Sequence, residues 1–312
     1  LDVDYLAVAY AHEGMVLRES GIKTPILVLH PQPANYSMVI KYCMDPSLYS
    51  PRVLTEIQKV AKTEKQKGYP VHLKFNTGLN RLGFCENDID YIAEALENRE
   101  ELKIKSLFSH LAASEDKSEE SFSNDQINSF IRIAGDFTAK LKVSPFLHIL
   151  NTSGILNYPE AQFQMVRSGI GLYGYGNEAR FDAELLPVAT LKTIISQIHH
   201  IEPNESVGYN RAFKSEGHQK TATLPLGHAD GIGRQYGNGK ASVIVNGKEA
   251  PIIGNVCMDM IMIDISNIEC SEGDEVIVFG KGHSAETFAA GANTISYEIL
   301  SGISQRVKRV IL

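Results

Sequence analysis

The stretch PRVLTEIQKVAKTEKQKGYPVHLKF (residues 51–75) places a helical pattern directly before a strand-like one. The helical part carries apolar residues at a spacing of three and four, namely Val53, Leu54, Ile57, Val60 and Ala61. Ser50 is the expected N-cap, Pro51 suits the first turn, and Gly68 is the expected C-terminal cap. The apolar run VHLKF then predicts a buried strand. Such a unit is the repeating element of an α/β fold.

The same alternation extends over the first 180 or so residues. Apolar periodicity predicts two more helices, in NDIDYIAEALENRE and NDQINSFIRIAGDFTAKLK. The strand candidates are LAVA, ILVL, VHLKF, IKSLFS, FLHIL, FQMVR and, more weakly, CMDPSLYS. These make about seven βα units, whereas a closed barrel needs eight. We therefore expect residues 1–183 to form a (β/α)8-type barrel whose first strand lies upstream of Leu1. The alternative is an open doubly wound sheet.

The remainder of the chain has a different sequence pattern, which predicts a second, all-β domain over residues 184–312. Its short, β-branched segments are separated by turn sequences such as NG and SEGD. A closing helix in TISYEILSGIS is expected to begin after Asn293 or Thr294. The polar segment EDKSEESFSND (115–125) predicts a solvated loop.

Composition excludes several classes of partner. The 312 residues carry a net charge of −7 and no cluster of Lys and Arg, which argues against nucleic acid or an anionic membrane surface. No apolar run is long enough to span a bilayer. The four cysteines are scattered without a C-x-x-C pair, so we expect reduced thiols in a cytoplasmic protein and no metal site.

Polar residues recur where successive predicted strands end, which is where barrel enzymes place their active sites. These positions hold Lys74, Arg81, His110, His148 with Asn151, and Arg167. Arg167 opens the glycine-rich turn MVRSGIGLYGYG (165–176), whose backbone N–H groups could hold a phosphate. The alternative for this turn alone is an ordinary tight turn, since a single glycine-rich segment is a weak signal.

Eight motifs in order along both domains resemble the alanine racemase family. They are VHLKFNTGLNRLGF, SHLAASE, HILNTSG, MVRSGIGLYG, VGYNRAF, PLGHADGIGR, NVCMDM and NTISYEI. The resemblance implies a barrel with a C-terminal β-domain that binds pyridoxal 5'-phosphate. It also implies a homodimer that interconverts L- and D-alanine and supplies D-alanine for peptidoglycan.

The resemblance assigns Arg167 to the pyridine nitrogen of the cofactor. A guanidinium keeps its proton at neutral pH, so it leaves that nitrogen unprotonated and weakens the ring as an electron sink. This suits racemisation rather than transamination. The other cofactor-binding residues implied are Leu29 and His110 beside the ring, Arg81 at its phenolic oxygen, Asn151, and Thr152, Gly169, Ile170 and Tyr297 at the phosphate.

Racemisation needs bases on opposite faces of the α-carbon. In the family one base is the lysine that binds the cofactor, and the other is a tyrosine from the partner subunit, matched here by Tyr209. The resemblance implies that His148 supports this tyrosine and that Arg234 lowers the proton affinity of that histidine.

The implied substrate-binding residues are Arg81, Met258 and Asp259, the last two reaching the partner's cofactor. Lys74 matches a lysine that is carbamylated in many members, where it orients the arginine matched by Arg81.

The chain departs from the family pattern at several points. The cofactor lysine would lie upstream of Leu1, so we expect the printed residues alone to be inactive and the parent protein to be active. Asn76 replaces the usual Asp, and His228 and Asn255 replace the Tyr and Arg of the substrate corridor. The alternatives left open are a racemase for another small amino acid, such as serine, and a non-catalytic relative that binds pyridoxal phosphate.

Overall fold

The computed structural model describes residues 3–97 and 99–312, which fall into two compact units. The first, here called the barrel unit, comprises Leu1–Gly169 and Gly176–Glu178. The second, here called the β-domain, comprises Ile170–Tyr175 and Ala179–Leu312. The predicted domain boundary after residue 183 stays a prediction. Between residues 169 and 179 the chain leaves the barrel unit, returns to it and leaves it again.

Six parallel strands form the sheet of the barrel unit, and their spatial order follows the chain without reversal. This is the order of a (β/α) barrel, whereas a doubly wound sheet reverses its strand order. The strands are β1 (Leu6–Val8), β2 (Ile26–Val28), β3 (Asp45–Leu48), β4 (Tyr69–Lys74), β5 (Leu102–Phe108) and β6 (Phe146–His148). The helices are α1 (Ala11–Glu19), α2 (Tyr36–Lys41), α3 (Pro51–Thr63), α4 (Ile89–Leu96), α5 (Glu120–Leu141) and α6 (Thr152–Asn157). The weak candidate CMDPSLYS is confirmed as β3.

One predicted strand is wrong. Residues 163–167, the FQMVR segment, are irregular, so about seven predicted units become six. Two backbone bonds tie the segment to the β6 side, from the N–H of Gln164 to Leu147 O (3.3 Å) and from that of Arg167 to Leu150 O (3.0 Å). These two bonds are three residues apart along the segment. In a β-ladder the bonds along one edge of a strand are two residues apart, so the segment does not form a strand.

Helix α3 shows which cap signals were reliable. Ser50 caps it as predicted, because its Oγ accepts the N–H of Val53 at 3.3 Å. The predicted C-terminal cap is wrong. The left-handed residue that follows the helix is Lys65 (φ 53°), and Gly68 lies further on, where the chain enters β4.

Two other helix starts differ from the prediction. Helix α5 begins at Glu120, inside the segment 115–125 that was predicted to be a loop. Its first two turns already bury the polar side chains of Ser123 and Gln126. The closing helix begins after Ile295 rather than after Asn293 or Thr294.

The β-domain is built on a seven-stranded antiparallel sheet and a two-stranded ribbon, which confirms the predicted all-β domain. Its strands are β7 (Leu191–Ile194), β8 (Gln197–Ile201), β9 (Ser206–Val207), β10 (Phe213–Lys214), β11 (Gln219–Leu224), β12 (Ser242–Val245), β13 (Lys248–Ile253), β14 (Ile261–Asp264) and β15 (Glu275–Phe279). The helices are α7 (Ala179–Asp182), α8 (Ala285–Ala290) and α9 (Ser296–Gly302). The sheet order is β7-β15-β12-β13-β14-β11-β8, and β9 pairs with β10.

Burial alternates along the central strands of this sheet, as expected when one face packs on a core. In β12 Val243 and Val245 are buried, and in β14 Ile261 and Ile263 are. Across residues 3–97 and 99–312, none of the helices has the length and apolar character needed to cross a membrane.

Candidate active site

Arg167 is the centre of a polar cluster at the carboxyl ends of β4, β5 and β6. Its Nη2 donates to the carbonyl oxygens of Ser109 (2.8 Å) and Ile149 (3.1 Å), and its Nη1 donates to Nδ1 of His148 (2.5 Å). The guanidinium also lies 5.4 Å from the ring centre of Phe108. Burial lowers the pKa of Arg167 to about 10, so it stays charged at neutral pH. Of its five N–H groups, Nε–H and one Nη1–H have no hydrogen-bond partner among the described residues.

His148 is fully engaged inside the barrel unit. Its Nδ1 faces Arg167, and its Nε2 lies 2.9 Å from Oγ of Ser106. Both ring nitrogens are thus engaged within the barrel unit, and the predicted role of His148 in supporting Tyr209 stays a prediction. Burial, followed by Arg167, holds the pKa of His148 well below its usual range. The arginine beside this histidine within the barrel unit is Arg167, and the predicted action of Arg234 on it stays a prediction.

His110 is the second histidine at Arg167, with its Nδ1 3.4 Å from Nη2. Burial lowers the pKa of His110 to about 3, and the charges of Arg167, Arg81 and Lys74 add to this effect. The imidazole is therefore neutral at physiological pH. In the described part of the chain, its Nε2 has no hydrogen-bond partner.

Lys74 ends β4 and is buried beside these cations. Burial lowers its pKa to about 8, and repulsion from Arg81 and Arg167 acts in the same direction. Its Nζ lies 5.9 Å from the ring centre of Phe108. Within the described ranges no carboxylate forms an ion pair with it. The charged groups of the cluster are therefore all cations.

The loop that carries Arg81 is closed on itself by Asn76. Its Oδ1 accepts the N–H of Asn80 (2.9 Å) and of Gly78 (3.2 Å), and its Nδ2 donates to Oδ1 of Asn80 (2.8 Å). An aspartate could not make the last bond. Gly83 has a φ of 144°, and a Cβ there would lie 2.4 Å from the backbone N of Asn76, so only glycine fits.

A second set of donors lies where β6 runs into α6. Asn151 caps that helix through the N–H of Gly154 (2.9 Å) and accepts the hydroxyl of Ser114 (2.8 Å). Oγ1 of Thr152 accepts the N–H of Gly169 at 3.1 Å. No atom lies within 4 Å of a Cβ built on Gly169, so this backbone borders open space.

Tyr209 and Met258 share an open groove on the β-domain with a volume of about 690 Å³. The two side chains are 70% and 60% exposed. The groove is lined by His199, Ile201, Ser206, Val207, Gly208, Tyr209, Thr221, Thr223, Cys257, Met258, Asp259, Met260 and Met262.

Asn255 fastens the turn that presents Tyr209. Its Nδ2 donates to the carbonyl oxygen of Tyr209 (3.0 Å), and its Oδ1 accepts Nδ2 of Asn238 (3.2 Å). The turn is conformationally demanding, since Gly208 and Asn210 have φ values of 75° and 60°. The departure from the family's arginine thus places an amide clamp on the tyrosine turn.

The carboxylate of Asp259 is already paired. Arg306 donates to it at 2.6 Å and donates two further hydrogen bonds, of 2.7 and 2.9 Å, to the carboxylate of Asp230. Through this bond Asp259 anchors the segment that follows α9, and its predicted role in binding substrate stays a prediction.

The other predicted residues are placed singly. Leu29 is half-buried directly after β2, Ile170 is buried in the β-domain, and Tyr297 lies in α9. Their roles at the cofactor stay predictions. Over the described ranges, no group of three or more His, Cys, Asp or Glu side chains could hold a metal ion.

Sequence reasoning missed a polar chain inside the barrel unit. His72 Nδ1 lies 2.6 Å from Ser106 Oγ, and His72 Nε2 lies 3.3 Å from Oδ2 of Asp45. The signal was a polar residue in the middle of each apolar run, VHLKF and IKSLFS.

Comparison with known proteins gives the family. The family model for the N-terminal domain of alanine racemase matches residues 1–177, and that for the C-terminal domain matches residues 188–311. The alanine racemase of Thermodesulfovibrio yellowstonii is 38% identical over 99% of this chain and 82% of its own length. That of Clostridium novyi is 36% identical over 98% and 81%.

Solved structures agree with this assignment. The alanine racemase of Clostridium difficile 630 superposes with a TM-score of 0.90 at 34% identity, over 99% of this chain and 82% of that one. The enzyme of Bartonella henselae, solved with covalently bound pyridoxal phosphate, gives 0.87 at 28% identity, over 98% and 84%. Since both domain models match and these relatives align over nearly the whole chain, the protein belongs to the alanine racemase family.

Proposed function

We propose that this protein interconverts L- and D-alanine with pyridoxal 5'-phosphate, in the cytoplasm, as a source of D-alanine for peptidoglycan. The observation that carries the proposal is the donor cluster at the carboxyl ends of β4 to β6. It combines a charged Arg167 with two neutral histidines and a glycine backbone that borders open space. Four reduced cysteines agree with a cytoplasmic location.

The residues present fit this cofactor. Pyridoxal phosphate is an anion with an aromatic nitrogen that accepts a hydrogen bond, and it supplies an electron sink for the bond to the α-hydrogen. Arg167 offers Nε–H and Nη1–H to that nitrogen and withholds a proton from it. The hydroxyl of Thr152 would face the phosphate beside the backbone of Gly169, which borders open space. Arg81 supplies a cation for the phenolic oxygen, on the loop that Asn76 closes.

We assign His110 rather than His148 to the support of the tyrosine base. His110 is neutral, because burial and the neighbouring cations depress its pKa, and its Nε2 is uncommitted within the described residues. It can therefore share a proton with a phenol without becoming charged itself. His148 has no nitrogen to offer.

Tyr209 and Met258 act, in this proposal, at the barrel unit of a second copy, so the working protein is a homodimer. Their exposure supports this, since a large tyrosine and three methionines around an open groove are typical of an interface. Tyr209 would exchange the proton on one face of the α-carbon. The resemblance assigns the other face to the cofactor lysine.

Lys74 is proposed to carry a carbamate. With a pKa of about 8 the amine is partly neutral near physiological pH, and only the neutral amine reacts with CO₂. The product is an anion between Arg81 and Arg167, where it would orient Arg81 and relieve the repulsion among the three cations.

The experiment is α-hydrogen exchange in deuterated water, using the natural gene product with added cofactor, L- or D-alanine, and chiral analysis of the product. We expect exchange and inversion from both enantiomers, and slower turnover of serine. The matched control is Tyr209→Phe, which removes one hydroxyl and should suppress exchange from one enantiomer far more than from the other. Faster turnover of serine would favour the alternative substrate suggested by His228 and Asn255. Equal loss from both enantiomers in the control would contradict the assignment of Tyr209.

A further inference from the structure

A continuous line of hydrogen bonds crosses the interior of the barrel unit, from the carboxyl end of the sheet to its other side. It runs from Arg167 to His148 (2.5 Å), on to Ser106 (2.9 Å), to His72 (2.6 Å) and to Asp45 (3.3 Å). The two histidines and the serine are fully buried on neighbouring strands β6, β5 and β4. At its far end Tyr5 donates its hydroxyl to the same Asp45 oxygen at 3.0 Å.

The direction of every bond follows from the two ends. A guanidinium can only donate, so Nδ1 of His148 must accept and its proton must sit on Nε2. That Nε2–H donates to Ser106, whose own hydroxyl must then donate to Nδ1 of His72. His72 is left with its proton on Nε2, which donates to Asp45, and an ionised carboxylate can only accept. All four bonds therefore point the same way.

Several features keep the line in this state. Phe108 stacks on His148 with ring centres 4.8 Å apart and planes at 3°, and Phe146 packs against both histidines. Burial lowers the pKa of His72 despite Asp45, and it lowers that of His148 further. A proton on His72 would reverse the Ser106 hydroxyl. It would then force Nδ1–H of His148 against an N–H of Arg167.

A purely structural role would not need this arrangement. Buried polar groups are costly, and apolar residues of similar volume would fill the same space. The adjacent strand shows the contrast, since Ser47 in β3 is equally buried yet its hydroxyl has no hydrogen-bond partner in the described chain. The line that ends on Arg167, by contrast, is bonded at every step, and hydrogen bonds in series strengthen one another in a low dielectric.

We propose that Asp45, His72 and Ser106 are positioning residues that act at a distance, by strengthening His148 as the acceptor that holds the Arg167 guanidinium in place. The inference rests on the proposed function for its catalytic consequence, because Arg167 is there assigned to the ring nitrogen. The line consists of this chain's own residues, so it can be tested in protein that is free of cofactor.

The test is a double-mutant cycle read by NMR on protein labelled with ¹⁵N-histidine and free of cofactor. Both histidines should show the tautomer protonated on Nε2. Asp45→Asn keeps an acceptor but removes the charge, so the Nε2 proton of His148 should move upfield as its hydrogen bond weakens. In a Ser106→Ala background most of that shift should vanish. In the matched Ser47→Ala background it should persist in full.

Two results of this NMR experiment would overturn the inference. One is an Asp45→Asn shift at His148 that is the same with and without Ser106, since the effect would then bypass the line. The other is a His148 protonated on Nδ1 in the wild type. If Ser106→Ala does not fold, Ser106→Cys, whose thiol is a weak donor and acceptor, takes its place in the cycle.

A second measurement concerns the reaction. In the loaded enzyme, Asp45→Asn and Ser106→Ala should each raise side transamination relative to racemisation several-fold, because a less firmly held Arg167 controls the ring nitrogen less well. Ser47→Ala should leave the ratio unchanged. An unchanged ratio in both variants would also overturn the inference. A wild type without racemase activity would refute the proposed function instead, while the NMR cycle would still decide whether the line operates.

Discussion

The carboxyl end of the barrel unit and the groove of the β-domain hold their functional side chains in opposite ways. In the barrel unit Arg167, His148 and Lys74 are largely removed from solvent, and burial shifts the pKa of each. In the groove Tyr209 and Met258 are mostly exposed. The side chains of the first region are held by bonds within the chain, whereas those of the second present a surface. This difference supports the proposal that the two regions are halves of a site completed between two copies of the chain.

The first prediction breaks the organised half and should have the largest effect. Arg167→Glu presents a carboxylate to the ring nitrogen, which favours its protonation, and it removes the donors to Ser109 O and Ile149 O. Racemisation should fall about 10²–10³-fold, the usual cost of a preorganised donor, and side transamination should rise. Chiral analysis and keto-acid assay of the products measure both. Arg167→Lys keeps the charge and serves as control. Normal racemisation in the Glu variant would remove Arg167 from the ring.

The second prediction uses pH to sharpen the contrast. The folded pKa of Lys74 (about 8) lies below its value of 10.5 in the unfolded chain. The native state therefore disfavours the charged amine below pH 8, and this destabilisation is relieved as pH rises from 8 towards 10.5. In CO₂-free buffer Lys74→Met should be more stable than wild type at pH 7, by up to about 2–3 kcal/mol, and the gap should close by pH 10.

Urea unfolding of both proteins at several pH values measures that gap. Adding ¹³C-bicarbonate near pH 8 should stabilise the wild type alone and give a carbamate signal in its ¹³C spectrum. A gap that does not change with pH would show that Lys74 titrates normally.

The third prediction concerns the exposed half and should be the smallest. Asn255→Ala removes the bond to the carbonyl oxygen of Tyr209, and an exposed hydrogen bond contributes about 0.5–1.5 kcal/mol. We expect kcat to fall roughly 2- to 10-fold with no change in cofactor binding. Asn255→Asp keeps the acceptor for Asn238 and loses the donor to Tyr209, so it should match the Ala variant. If the Asp variant retained wild-type kcat, the clamp would be irrelevant to Tyr209.

Sequence patterns predicted most of the fold because the signals were local. Helical periodicity and the Ser50 cap identified α3, and short β-branched segments between turn sequences identified the β-domain. The failures had non-local causes. FQMVR is apolar enough for a strand, but its backbone bonds repeat after three residues beside β6. Lys65 took the left-handed position expected of Gly68.

The site shows the same division. The strand-end positions of Lys74 and His110 were predicted because a barrel places its active site there, and Arg167 joins them although the FQMVR segment before it is not a strand. The partners of His148 were not, because they depend on strand register. A register shift between Val71 and His72 sets Ser106 directly opposite His72, and the sequence carries no signal for it.

The most direct test of a site shared between copies is complementation in mixed dimers. Arg167→Glu spoils the barrel unit and leaves the groove intact, and Tyr209→Phe does the reverse. Each variant alone should be nearly inactive. After the two are unfolded and refolded together, half of the dimers should be mixed and each should hold one intact site, so activity should return to about a quarter of the wild-type value. Recovery to that level is the predicted result. No recovery, in a mixture shown by mass spectrometry to contain mixed dimers, would contradict the shared site.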